Sequence, residues 1–467
     1  MGVRKAVDRN RHLCRVHTSS TRKRVGLSCA AASTRWRVEL VAVALSILCL
    51  AAFEVDAQIS WPRKTGPNSN GTANAADVKG LPTEWNEAEE KNIAWKTKLE
   101  GIGHSTPVVG HGKVWFTSAT EDGTQQYVYC IDANSGKVLH HKLLFENEDP
   151  EPLGNPVNSY ASPTCLLGDD GVYAHFGTYG TAKLDLESAK VIWQRRDINC
   201  RHFRGPGSSP EVFGEKLVLT FDGIDQQFLM ALNKDTGKKI WRTDRTTDYG
   251  DLDENGKPHR DGDLRKAYGT PAFVKVGDKV HVVSVGSRAA FGYDLNSGNE
   301  LWTITHDDYN AAAQPLIFEG SAILNTGSRG ANLLMVRLDK TTSGDVSKSH
   351  VTWDRQKGNS RLSFPVLADG KVYSLTDNGV LTCIDATNGT EVWTGRVGGN
   401  YVASPLIANG LIYVADEKGR TTILRAGDKF EIVAKNVLAE GGKASLAVGE
   451  GAIFLRSSGH LYKLSNH

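Results

Sequence analysis

The sequence predicts an all-β protein, an eight-bladed β-propeller of four-stranded blades, and three observations predict it. The first is composition: 48 glycines against 3 methionines in 467 residues suit short strands joined by tight turns better than helical bundles. The second is an internal repeat of roughly 40–50 residues, the period of a four-stranded propeller blade. The third is a mismatch between the two ends of the repeat array, which carry complementary parts of one unit.

Each copy of the repeat opens with a small or polar residue before proline. An apolar strand follows, then a Gly turn, a second strand, a third ending near Asp, and a Gly-Lys turn into a strand carrying Trp. Ser363-Phe364-Pro365 leads through Lys371-Val372-Tyr373 and Leu381-Thr382-Cys383-Ile384-Asp385 to Asn388-Gly389 and Trp393. The opening prolines are Pro107, Pro163, Pro210, Pro271, Pro315, Pro365 and Pro405, and an eighth copy begins at Ala444-Ser445-Leu446 without one. Proline suits the first residue of a strand, where its missing N–H is not needed. A lone blade cannot bury both faces, so the copies must stack in a ring. Trp193, Trp241, Trp302, Trp353 and Trp393 are expected as packing wedges between blades. Asp132, Asp185, Asp294, Asp339 and Asp385 are expected to accept backbone N–H groups within the turns.

The ends of the array supply the eighth blade. The last copy stops after its third strand at His460-Leu461-Tyr462-Lys463-Leu464, with no Trp strand behind it. Asn92-Ile93-Ala94-Trp95-Lys96-Thr97-Lys98 is an orphan Trp strand ahead of the first copy. Pairing the two would close the ring and remove an exposed sheet edge. The propeller is thus assigned to 92–467, and 58–91 is an N-terminal extension.

Residues 1–57 differ in kind. Ten Lys/Arg against one acid in 1–38, the fourteen-residue run Leu40–Phe53, and Val55-Asp56-Ala57 read as a secretory signal cleaved after Ala57. The apolar run falls short of the about 20 residues that span a bilayer; an uncleaved anchor is the alternative. Export would place the protein in the periplasm or outside the cell. Without 1–57 the chain holds 45 Lys/Arg and 49 Asp/Glu, a net charge of −4, the wrong sign for a nucleic-acid partner. Cys130, Cys165, Cys200 and Cys383 remain in the exported part, where pairing is permitted, and no CxxC marks a zinc or haem site.

Repeats of the form Ser-Pro, Gly-x-Val-Tyr, Leu-Asp-x-x-(Thr/Ser)-Gly-Lys and Trp resemble the PQQ-binding-like β-propeller over nearly all of 92–467. Trp61-Pro62-Arg63-Lys64-Thr65-Gly66-Pro67-Asn68 resembles the start of many exported bacterial members. The resemblance implies either a quinoprotein dehydrogenase, holding PQQ and calcium in the central funnel, or a non-enzymatic relative that binds other proteins, as the outer-membrane assembly lipoprotein does. The adjacent cysteine pair and haem motif of the dehydrogenase branch are missing here.

Site candidates come from departures from the repeat. Three connectors between a fourth strand and the next first strand are enlarged, 143–159, 197–207 and 243–267, and should form one continuous rim. The second contains Cys200-Arg201-His202-Phe203-Arg204-Gly205; His202 and Arg204 suit a carboxylate, phosphate or sugar, the alternative being pairing with nearby acids. The third contains Asp251, Asp253 and Asn255 in a D-x-D-x-N-G arrangement, the first half of a calcium loop, with Gly262 where the bidentate Glu belongs. Polar residues at the starts of first strands are expected to line the funnel. Tyr160, Tyr268, Asn310, Gln314, Arg361, Asn400 and Tyr401 are assigned to ligand binding, beside Ser162, Ser208, Ser209, Thr270, Ser363 and Ser404. His175 and His281 are assigned structural roles.

With no evident nucleophile, acid/base pair or redox relay, the functional expectation is a non-catalytic scaffold. It would bind a protein or a small polar ligand on its long-loop face, with association to the envelope membrane. A PQQ- and calcium-dependent or atypical dehydrogenase acting on alcohols or sugars is the alternative. Minimal turns are expected on the opposite face, with Lys371 and Lys418 as its markers.

Overall fold

The computed structural model describes residues 58–327 and 330–466, all within the compact unit Asp56–His467. The segment read as a secretory signal lies outside the described residues. Eight sheets of at least four strands, antiparallel within each blade, account for the fold; among the described residues the helical turns are two short 3₁₀ segments, Gly177–Tyr179 and His259–Gly262. Blades 1 to 7 occupy 108–146, 166–195, 211–244, 272–305, 316–355, 366–396 and 406–437. Blade 8 combines 447–464 with Ile93–Lys98, which pairs antiparallel with His460–Leu464.

The joint between blades repeats. The Trp193 indole N–H donates to Lys234 O at 2.9 Å, Trp241 to Leu295 O at 3.0 Å, Trp353 to Ala386 O at 3.0 Å and Trp393 to Gly427 O at 2.8 Å, each acceptor lying in the following blade. Trp95 of blade 8 reaches Ala133 O of blade 1 at 3.2 Å. The glycine of the next blade's Asp–Gly turn lies under the indole: Gly237 has φ +67°, and a Cβ there would sit 2.7 Å from the Trp193 ring. Glycine is therefore required twice at this position, by backbone conformation and by contact. Blade 1 carries His140 in place of Trp, its Nε2 2.9 Å from Glu187 O. The turn aspartates accept as expected, Asp132 Oδ1 from Ser135 N and Asp385 Oδ1 from Thr387 N at 2.7 and 2.8 Å.

Blade 4 departs from this scheme. Trp302 donates to His281 Nδ1 in its own sheet at 3.2 Å. The connection 337–350 of blade 5 folds back over it, pairing Gly344–Asp345 parallel with Trp302 and Thr303. That excursion joins a third strand to a fourth, on the face expected to carry only minimal turns.

A second belt explains the residues before the first strands. Thr106 N–H donates to Thr164 Oγ1, Thr164 N–H to Ser209 Oγ and Ser209 N–H to Thr270 Oγ1, each at 3.0 Å; Phe364 N–H donates to Ser404 Oγ and Ser404 N–H to Ser445 Oγ, each at 2.9 Å. These hydroxyls stitch neighbouring blades. In blade 2 the stitching residue is Thr164, two positions beyond the residue before Pro163.

The extension 58–91 is woven into the propeller. Ile59–Trp61 pairs with Val108–Gly110, the innermost strand of blade 1. Pro62 O accepts from Leu167 N of blade 2, and Arg63 Nη1 meets Glu211 Oε2 of blade 3 at 2.6 Å. Thr65 donates to Gln314 ahead of blade 5 at 2.6 Å, Asn70 O accepts from Leu367 N of blade 6, and Ala73 N–H reaches Ile407 O of blade 7. A short segment can touch the inner strands of so many blades from the axis, so 59–73 plugs the channel. Gly71 makes this fit, since a Cβ there would lie 2.2 Å from Val366 Cγ1. The chain then leaves the axis and reaches the outer strand of blade 7, where Trp85 N–H donates to Asn436 Oδ1 at 3.0 Å.

Candidate functional site

Strand direction alternates, so fourth-to-first connectors and second-to-third hairpins share one face, the connector face, and the Asp–Gly turns lie on the other. Lys418, in a second-to-third hairpin, belongs to the connector face; the expectation that it marks the opposite face is corrected by this alternation. Lys371 does lie there.

At the axis the connector face holds a funnel of about 460 Å³, within the range of small-molecule sites. All eight connectors contribute lining residues, and its floor is Lys64, delivered by the axial plug. Among the described residues the charged lining comprises Lys64, Arg204, Lys266, Arg361 and Lys443 with one acid, Asp263, beside His104.

Neutralisation is uneven. Lys266 bonds Asp263, and Arg361 is held by Asp377 Oδ2 at 2.5 Å. Lys64 Nζ sits 3.9 Å from the centroid of the Phe364 ring, and Arg204 stacks on Phe203 at 4.7 Å; neither forms an ion pair among the described residues. Lys443 donates to the carbonyl of Pro156. Burial, then Lys443, Arg456 and Lys64, push the His104 imidazole down to about 3, so it is neutral at pH 7. Burial lowers Lys64 to about 8. Behind this wall Arg456, 3 % exposed, donates to Ser105 Oγ and Thr117 O, each at 2.8 Å, and no carboxylate faces it among the described residues.

Five of the residues assigned from sequence line the funnel: Ser162, Arg204, Tyr268, Asn310 and Arg361. The others lie elsewhere. Tyr160 is buried, its hydroxyl donating to Glu151 O at 2.9 Å. His202 is buried, accepts from Thr178 N–H at 3.3 Å, and is pushed down to about 4 by burial. Gln314 lies below the funnel, bound to Thr65, Glu211 and Pro271 O. Tyr401 belongs to the core between blades 6 and 7, and Asn400 uses its carbonyl to accept from Glu417 N. Packing and blade stitching claim these groups. Sequence reasoning missed Lys64, His104 and Lys443; Lys64 stood in a motif read as an exported-protein signature, and the other two lay in short connectors.

The calcium half-motif closes on itself. Asp251 is clamped by Arg265, with 2.5 Å between Oδ1 and Nη2. Asp253 Oδ1 accepts from Asn255 N and Lys257 N at 2.9 and 2.8 Å, so Asn255 serves the turn through its backbone. Among the described residues no group of three or more His, Cys, Asp or Glu is placed to hold a metal. His175 bonds Thr181 Oγ1 at 2.8 Å and His281 accepts from Trp302, both within the fold. Cys130, Cys165, Cys200 and Cys383 are free and buried. No helix among the described residues is long and apolar enough to cross a membrane. A hollow of about 730 Å³ beside blades 4 and 5 is lined in part by Asp308, whose Oδ2 already accepts from Gly330 and Ala331 N–H.

Solved structures share this fold. BamB from Moraxella catarrhalis superposes with a TM-score of 0.52 at 11% identity, covering 79% of this chain and 99% of that one. The quinohemoprotein alcohol dehydrogenase of Comamonas testosteroni gives 0.63 at 13% identity, covering 88% and 82%. A europium-containing methanol dehydrogenase gives 0.63 at 12%, covering 86% and 90%. No curated protein matches the chain. The family model described as outer membrane protein assembly factor BamB matches residues 22–198 and 332–429, more than half of the sequence. With its blades built from the PQQ-type repeat, the chain belongs to that family.

Proposed function

We propose that the chain is a non-catalytic binding propeller of the cell envelope whose connector face recognises an anionic ligand or an acidic partner surface. The observation that carries this reading is the funnel itself, where Lys64, Arg204 and Lys443 converge without carboxylate partners among the described residues. The family's description as an outer membrane protein assembly factor and the basic and apolar segments of 1–57 support an envelope location, periplasmic or exported. That description also supports a protein partner.

The quinoprotein alternative requires PQQ and calcium. The cations would suit the carboxylates of PQQ, but calcium takes six to eight oxygen ligands. Among the described residues the funnel offers one carboxylate, Asp263, already bonded to Lys266. The residues present do not fit the metal. The two readings part on one experiment: the purified protein is given PQQ and Ca²⁺, and dye reduction with alcohols and sugars is followed. The binding reading expects no cofactor-dependent turnover; sustained reduction that needs both additions would overturn it.

A further inference from the structure

The funnel's charge runs against that of the chain. Residues 58–467 carry a net −4, whereas among the described residues the funnel presents five cationic side chains and one acid. A cationic concavity in an acidic protein concentrates anions there. Its cations fall into separated groups. Lys64 and Lys443 lie around His104, Lys443 on the connector from blade 7 to blade 8 and Lys64 on the axial plug beside Phe364. Arg204 and Lys266 lie beside Tyr268, on the connectors flanking blade 3. Arg361, on the connector into blade 6, is already neutralised by Asp377.

Access is restricted to one direction. The plug closes the floor, and the connector 147–165 leans over the mouth: Lys443 bonds Pro156 O, and Asn158 Nδ2 donates to Arg204 O at 2.8 Å and Pro206 O at 3.1 Å. A chain cannot thread this space, whereas a compact solute can fill it.

We propose that the funnel is a receptor for a small molecule carrying two separated anionic groups, one end held by Lys64 and Lys443 and the other by Arg204. This rests on the reading of the connector face as the binding face and narrows it to a ligand class. A singly charged anion meets one cationic group, whereas a two-ended anion meets both with one molecule, and charge-assisted contacts at each end are the stronger kind of hydrogen bond. Lys64 gives the site a second property. Because it belongs to the plug, the receptor is complete only when 59–73 is seated on the axis.

Calorimetric titration of the full chain tests this. The probes are the dicarboxylates from succinate to suberate and inorganic pyrophosphate, with acetate as the singly charged control, all at one ionic strength. At least one dianion is expected to bind tenfold or more tighter than acetate. Lys64→Gln and Arg204→Gln should each reduce that binding at least tenfold and erase the preference over acetate, while Lys238→Gln on the opposite face leaves it unchanged. Arg204→Gln touches no part of the plug, so it decides the matter if Lys64→Gln fails to fold. Pyrophosphate and dicarboxylate arms separate phosphate from carboxylate ligands. Dianions binding no better than acetate, or unchanged by Arg204→Gln, would overturn the proposal. Protein binding lost on changing Arg204 together with intact indifference to every anion would leave the connector face standing and remove the small-molecule receptor.

Discussion

The two faces of the propeller use the same residue types to different ends. On the Asp–Gly face the aspartates of the repeat fold back onto their own turns, as Asp185 does with Ser188 N–H at 2.8 Å, and Gly136, Gly237, Gly298 and Gly389 are pressed against Trp95, Trp193, Trp241 and Trp353. On the connector face the repeat lapses, and charges divide. Arg245 and Arg265 are bound to Asp222 and Asp251 at 2.6 and 2.5 Å, while Arg204 and Lys64 have no such partner. The contrast teaches that strict repetition marks structural demand and that its interruptions are where groups remain available to a ligand.

Removing residues 58–98 should break both faces together, the largest effect expected. The deletion empties the axis of buried Trp61, takes away Trp85 and Leu81, and strips the Trp95 strand from blade 8. Burying one large apolar side chain is worth about 1.5–3 kcal/mol, so the loss rivals the whole stability of a domain, about 5–15 kcal/mol. We expect insoluble protein or a transition without cooperativity by circular dichroism. An unchanged midpoint would mean that neither plug nor strand pairing closes the ring.

Within the connector face, Arg245→Met and Arg204→Gln should separate sharply. Arg245 and Asp222 are both fully buried, and burial pushes the Asp222 carboxyl up against the pull of Arg245. Stranding that carboxylate should cost about 3–5 kcal/mol in urea denaturation. Replacing Arg204 should stay within about 0.5 kcal/mol. Similar losses would mean that Arg204 is a structural residue.

Across the faces, Gly237→Ala and Gly250→Ala provide a smaller and sharper test. Both have positive φ, +67° and +55°, but a Cβ at Gly250 meets nothing within 4 Å whereas one at Gly237 meets the Trp193 ring. The left-handed conformation alone costs about 1–2 kcal/mol. Gly237→Ala should cost more by about 1 kcal/mol or above. Equal losses in thermal melts would show that the joint between blades yields.

The fold was legible because its signals are local and recur: Gly237 and Trp193 lie in successive copies at fixed offsets, and the Trp95 strand is the part the last copy lacks. The site was legible only in outline. Enlarged connectors and Arg204 were visible as departures from the repeat, but Ser209, Thr270 and Ser404 were read as ligand-facing when their hydroxyls bridge blades. Nothing local distinguishes a hydroxyl facing a ligand from one accepting an N–H some 40 to 61 residues away. The plug was hidden for the same reason. Its partners, Leu167, Glu211, Gln314, Leu367 and Ile407, are scattered over the whole chain, and no period links them to 59–73. The Asp251 half-motif shows the converse, a convincing local pattern whose charge is cancelled by Arg265.

The central claim, that binding resides on the connector face through cations without carboxylate partners among the described residues, is tested most directly by two charge-matched triple variants. One carries Lys64→Gln, Arg204→Gln and Lys443→Gln; the other carries Lys137→Gln, Lys238→Gln and Lys371→Gln on the Asp–Gly face. Each is used as bait for cross-linked, solubilised envelope proteins beside the unaltered chain, and captured species are quantified at equal bait. The account predicts that the connector-face triple loses the proteins retained by the unaltered chain while the Asp–Gly triple keeps them. Equal loss in both, or loss confined to the Asp–Gly triple, would contradict it.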